Sequence, residues 1–365
     1  MFKRHIWPRF FLTFGLFLPW IQGLAQSQVH KQVDSQVQES IRSAALSLHF
    51  ELPELGLSYI DSLKYIKKLG ASHVTINVQA VMETIYSSRL KFSHPEASSF
   101  RTLEQVIRQA QTLGLKVIIF PIIWIEERPN GEWRGQLNPK EQSHWWSSYE
   151  DWLLELALIA QKYRLDYLSI GSELSSLEIY LDRWLSLISR IRSIYRGKLT
   201  YSANWDHFVD VPFWSHLDVI GLTAYYPLVQ AGQQPNLLRL YERWRLINSA
   251  LVDWLVHHYP KKKLFFTELG YPSQLGGLSR PWHYLQGQEI DLKGQAMAFE
   301  AFRKAWHNSP SLLGVNIWNL WGLGGPHDSW YTVRGKPAAK EVIKLFQQLS
   351  GRLKQDTTTK LKVNK

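Results

Sequence analysis

Apolar residues along the chain alternate between two rhythms. Short runs rich in β-branched and aromatic residues are separated by longer stretches in which apolar residues recur every three or four positions. The short runs predict strands at Ala45–Phe50, His73–Val78, Leu115–Trp124, Asp166–Glu173, Lys198–Asn204, Leu217–Tyr225, Lys263–Gly270 and Leu312–Trp321. The helical rhythm covers Leu57–Leu69, Leu103–Leu113, Trp145–Tyr163, Leu177–Tyr195, Leu237–His258, Gln295–Trp306 and Ala338–Leu349. Ser58 is placed to cap the first helix, and Gly70 and Gly114 to close the first two. The connection Asp206–His216 is too short for a long helix.

Strands that alternate with helices pair in parallel through right-handed crossovers. Eight such units, several of them nearly continuous apolar runs, predict a single closed (β/α)8 barrel, a TIM barrel, over residues 41–350. An open doubly wound sheet would want a Gly-rich phosphate loop after its first strand, and Phe50-Glu51-Leu52-Pro53 is not one.

The ends of the chain read differently. Lys3, Arg4 and Arg9, the apolar run Phe10–Ile21 and the small residues at Gly23-Leu24-Ala25 form the pattern of a cleaved signal peptide over 1–25. That run is short of the roughly 20 apolar residues that span a bilayer, so no stable membrane anchor is expected. The product would be exported, to the periplasm or the exterior. Residues 26–40 read as a polar spacer and 351–365 as a basic, disordered tail. The absence of cysteine excludes disulfides and a lipoprotein anchor. A net charge of +11 suggests nucleic acid until it is divided: the leader carries +3 and the tail +4, leaving +4 on the barrel. That is no electrostatic footprint for nucleic acid. A monomer is expected. The 17 Trp residues, many in polar or Gly-rich stretches, suggest an aromatic-lined surface.

Reactive groups of such barrels sit at the C-terminal ends of strands. Two glutamates fall there: Glu173, closing the fourth strand in D-Y-L-S-I-G-S-E, and Glu268, closing the seventh in K-L-F-F-T-E-L-G. Paired carboxyl groups can cleave a glycosidic bond, one protonating the leaving oxygen while the other attacks the anomeric carbon or activates water; a separation of about 5–5.5 Å gives retention. A lone glutamate at a strand end more often caps a loop or pairs with an arginine; two at these ends favour chemistry. Tyr225, or its neighbour Tyr226, could hold the Glu268 carboxylate. Asn204 and Trp205 end strand five and Trp124 ends strand three, where each could meet a sugar. Trp133 and Arg134 lie in a Gly-containing loop on the same face, in subsite contact or, for the arginine, anchoring the loop through a carboxylate. Trp282 could form an aromatic lip, and Trp321 could line the cleft or fill the core. No metal-binding spacing and no G-x-S-x-G elbow occurs, so neither metal nor cofactor is called for.

The two glutamates resemble those of clan A glycoside hydrolases. More narrowly, the chain resembles glycoside hydrolase family 113 at Glu132-Trp133-Arg134-Gly135 with Trp145, Trp146, Ser148 and Tyr149. The likeness continues at Ser169-Ile170-Gly171-Ser172-Glu173-Leu174, at Thr267-Glu268-Leu269-Gly270-Tyr271, and from Gly314 to Trp321 with Tyr331-Thr332 and Arg334-Gly335-Lys336-Pro337. It implies Glu173 as acid/base, Glu268 as nucleophile, Trp318 as the ring beneath the reacting sugar, and retaining endo-β-1,4-mannanase activity. Clan members often have Asn before the acid/base, where this chain has Ser172. The loops 271–289 and 322–329 do not align. Since they would rim the cleft, a different β-glycan or amino-sugar polymer remains open, as does a glycan-binding barrel without catalysis.

Overall fold

A computed structural model describes residues 39–48, 58–92, 98–283 and 289–363, the last twelve as backbone only. The expected signal peptide and nearly all of the polar spacer lie outside these residues, as does the end of the first expected strand at 49–50.

Eight parallel strands close into one barrel in sequence order: β1 (Ile41–Ser47), β2 (His73–Met82), β3 (Lys116–Ile125), β4 (Tyr167–Ser172), β5 (Lys198–Ala203), β6 (Val219–Thr223), β7 (Leu264–Leu269) and β8 (Leu312–Ile317). Helices α1 (Tyr59–Lys68), α2 (Phe100–Thr112), α3 (Gln142–Lys162), α4 (Leu181–Ile194), α5 (Leu237–His258), α6 (Leu292–Ala305) and α7 (Ala338–Val363) fill the connections. This is the (β/α)8 barrel that the alternation predicts. Between β5 and β6 the chain makes only two short 3-10 turns, Phe208–Asp210 and Trp214–His216. Ser58 caps α1 by accepting from the Asp61 N–H, and Gly70 and Gly114 follow α1 and α2 with positive φ.

The first strand begins four residues earlier than its apolar pattern predicts. Ile41–Ala44 pair with Gly314–Ile317 of β8, and this long-range pairing closes the barrel. Gly314 makes room for it, since a Cβ there would lie 2.1 Å from the Ile41 carbonyl oxygen. Ser43 breaks the local pattern because it points into the barrel, where its hydroxyl meets Thr75 Oγ1 at 2.8 Å. The last helix runs on to Val363, past the predicted end at Leu349. Residues such as Leu353, Lys354 and Gln355 are good helix formers, so the backbone stays helical where disorder was expected.

Ile41, Ile118, Tyr167, Val219, Phe265 and Leu313 form an apolar plug inside the barrel near the strand starts. Above it the interior turns polar: Ser202 and Thr267 hydroxyls meet at 2.6 Å, and Asn316 Nδ2 donates to the Thr267 carbonyl at 2.7 Å. The plug makes the C-terminal mouth the open end. Outside the barrel, Trp145, Trp152, Trp184, Trp214, Trp244 and Trp306 are fully buried. The wealth of tryptophan therefore serves the core beneath the helices as much as any surface, which corrects the expectation. Among the described residues no helix is long and apolar enough to cross a membrane.

Candidate active site

Glu268 is the penultimate residue of β7 and is only 1% exposed. Two donors hold its carboxylate. The Tyr225 hydroxyl donates to Oε2 at 2.6 Å, and Ser172 Oγ donates to Oε1 at 3.4 Å. Burial pushes its pKa up to about 8, and the negative charge of Glu173 adds to the rise; Arg134, Tyr225 and Ser172 oppose it. The two carboxyl groups therefore act on each other across the barrel mouth.

Glu173 follows Ser172, the last residue of β4, and is 6% exposed. Its backbone is left-handed, with φ +54°, a conformation that costs a non-glycine residue energy and survives only where neighbours impose it. The Glu173 N–H donates to the Ser202 carbonyl at 2.8 Å, tying the turn to β5. Arg134 reaches over from the β3–α3 connection, its Nη2 donating to Glu173 Oε2 at 2.7 Å. Of the two roles open to Arg134, subsite contact or pairing with a carboxylate, the structure shows the pairing.

The remaining expected residues fall into separate groups. Tyr225, not Tyr226, meets Glu268, because successive residues at the end of β6 face opposite ways. The Tyr226 ring packs outward, edge-on to Trp205 and Trp244. Trp205 is half-buried and stacks on exposed Trp282 with centroids 6.0 Å apart. Asn204 accepts through Oδ1 from the Trp205 N–H and the Thr223 hydroxyl. Trp318 is half-buried just beyond β8, its N–H donating to the Leu269 carbonyl at 2.9 Å. Trp321 packs on Trp330 at 4.0 Å, Trp124 lies beneath the Arg128 guanidinium at 4.4 Å, and the Trp133 ring lies against Gly135.

The family model of Glycoside Hydrolase Family 113 matches residues 58–324, most of the barrel including both glutamates. The chain belongs to glycoside hydrolase family 113. It is a glycoside hydrolase. The family 113 β-mannanase from Alicyclobacillus acidocaldarius, solved in complex with ManMIm, is similar at 26% identity and TM-score 0.74, over 85% of this chain and 98% of that one. A family 113 β-1,4-mannanase matches at 25% identity and TM-score 0.73, over 85% and 99%. A Streptomyces cattleya family 5 variant with Manβ1-4GlcNAc shares the fold at 14% identity and TM-score 0.57, over 84% and 80%. No curated protein matches the chain.

In this family 113 barrel, several residues near the glutamates carried no signal in the local pattern. The Tyr331 ring packs beside Tyr225 at 6.1 Å, and its hydroxyl donates to the Pro281 carbonyl. Lys336, on the segment before α7, is buried with its ammonium donating to Asp328, Ser273 and the Trp330 carbonyl, each at 2.8 Å. It joins the segments that follow β7 and β8. Tyr201 and Glu178, behind Glu173, likewise escape a reading that looks only at strand ends. Each acts through a partner distant in sequence.

Proposed function

We propose that the protein is a retaining endo-β-1,4-mannanase in which Glu268 is the nucleophile and Glu173 the acid/base. The observation that carries the assignment is the contrast between the two carboxylates. Glu268 is dry and held by Tyr225 and Ser172, so one oxygen can be kept in line with an anomeric carbon. Glu173 stands just beyond β4 and accepts from Arg134 of the β3–α3 connection at 2.7 Å, a contact that a leaving oxygen could share.

The chemistry then follows in two displacements. A Glu268 oxygen forms a bond to the anomeric carbon as the glycosidic C–O bond breaks, and Glu173 delivers a proton to the departing oxygen. Glu173, now a carboxylate, takes a proton from water as the water oxygen attacks the same carbon and the ester to Glu268 breaks. An acid must carry a proton, and Glu173 can carry it on one oxygen while the other still accepts from Arg134. A nucleophile must be an anion, so the donors from Tyr225 and Ser172 offset the burial that pushes Glu268 up. Trp318, Asn204, Trp205 and Trp282 supply flat rings and hydrogen-bonding groups at the strand ends for successive sugars.

The mannan preference rests on family membership and on the β-mannanases among the similar structures. An exported location, expected from the leader, suits a polymer too large to enter the cell. The test incubates residues 26–365 and the Glu268→Ala variant with soluble β-mannan, glucomannan, β-glucan and chitosan and assays new reducing ends. The expected result is cleavage of β-mannan and glucomannan by the parent alone. Retardation of both proteins in polysaccharide gels without any cleavage would replace this reading with a binding barrel.

A further inference from the structure

The left-handed turn at Glu173 must be imposed by something, and the groups that impose it lie behind the site. The Tyr149 hydroxyl, from α3, donates to the Ile170 carbonyl at 2.7 Å. Gly171 passes so close that a Cβ would lie 2.7 Å from Tyr149 Oη and 3.1 Å from a Tyr201 ring carbon. Beyond the turn, the Leu174 N–H donates to Tyr201 Oη at 2.8 Å. Tyr201 in turn donates to Glu178 Oε1 at 2.7 Å. One hydroxyl thus accepts from the residue after Glu173 and gives its only proton to Glu178, which fixes the direction of both bonds.

Glu178 itself is out of place in a packed structure. It is 3% exposed, follows the short turn Ser175–Leu177, and forms no ion pair among the described residues. Burial pushes its pKa up to about 7, against the pull of the Tyr201 bond; His207 also lowers it, while Asp210 and Glu173 raise it. A carboxyl kept in such a place without an ion pair is costly, and perturbed groups of this kind gather at functional sites. The mechanism above does not use it.

We propose that Tyr201 and Glu178 are positioning residues, a buried pair that fixes the backbone of Glu173 and thereby aims the acid/base at the leaving oxygen. The inference rests on Glu173 being the acid/base. A leaving group that departs unaided needs no acid, whereas an unactivated sugar does. Tyr201→Phe loses both bonds. Glu178→Gln keeps an acceptor for Tyr201, and Glu178→Ala does not.

The experiment compares kcat/KM on a 2,4-dinitrophenyl β-glycoside and on a mannooligosaccharide for the parent and the three variants. It also follows amide hydrogen exchange over residues 170–178. In Tyr201→Phe and Glu178→Ala, kcat/KM should fall about 10- to 100-fold on the oligosaccharide, in the range of general acid catalysis, while the dinitrophenyl value stays within about twofold. Azide, which attacks without a base, should restore their kcat on the dinitrophenyl substrate. Glu178→Gln should stay near the parent. Equal losses on both substrates, or none on either, would overturn the proposal. A parent inactive on both substrates would instead count against the hydrolase mechanism. Exchange would then still decide the pairing: faster exchange at Leu174 in Tyr201→Phe supports it, and unchanged exchange refutes it.

Discussion

Replacing Tyr225 with Phe removes one oxygen and leaves the ring in place beside Tyr331. What disappears is an O–H···O⁻ bond of 2.6 Å to a carboxylate that is 1% exposed. Hydrogen bonds to charged groups contribute about 1.5–3 kcal/mol. At about 1.4 kcal/mol per factor of ten, the loss corresponds to roughly 10- to 150-fold in kcat/KM at neutral pH. The same energy has a second signature. Tyr225 favours the ionised form of Glu268, so its removal adds to the upward push of burial. At about 1.36 kcal/mol per unit, the acid limb of kcat/KM should move up by about one to two units. Steady-state rates on an aryl β-mannoside from about pH 6 to about 10.5 measure both effects. An unmoved limb with a rate within about twofold of the parent would show that Tyr225 does not support an ionised Glu268. A lower rate with an unmoved limb would reassign Tyr225 to packing.

Three further outcomes are expected. Arg134→Gln takes a positive charge away from Glu268 as well as from Glu173, so the acid limb should again move to higher pH, and less so in Arg134→Lys; pH–rate profiles read this directly. Asp328→Ala leaves the buried Lys336 ammonium without its anion and should destabilise the barrel by about 3–5 kcal/mol. Urea unfolding measures that loss, and adding Lys336→Met should recover most of it. Glu268→Gln should raise stability at pH 8 and leave it unchanged near pH 4, by thermal melts at each pH. Folded Glu268 binds its proton more tightly than an unfolded carboxyl, so its contribution is full below about 4.5 and is lost as pH rises through about 8.

The barrel was legible because short, nearly continuous apolar runs and amphipathic helices are local signals. The two glutamates were legible for a related reason: each ends an apolar run, and the barrel gives that position meaning. What local pattern could not reveal is pairing at a distance. The start of β1 depends on β8, whose residues lie about 270 positions away, and Ser43 looks out of place until Thr75 is opposite it. Arg134 is a polar loop residue until Glu173 is found 2.7 Å from it. The choice between Tyr225 and Tyr226 needed the parity of the strand end, which a doubled tyrosine hides. The tryptophans misled because a count says nothing of which face each takes: Trp184 stacks on Phe213 in the core, whereas Trp282 stands exposed.

The central claim is that Glu268 becomes bonded to the sugar. The most direct measurement uses Glu173→Ala, in which the second displacement lacks its base, reacted with a dinitrophenyl β-mannobioside. After rapid acid quench the protein is digested and its peptides are weighed. The account predicts a mass increase of one mannobiosyl group on the peptide that carries Glu268, and none when Glu268→Ala is added. An adduct on any other residue, or full turnover through a product of inverted configuration with no adduct at all, would contradict it.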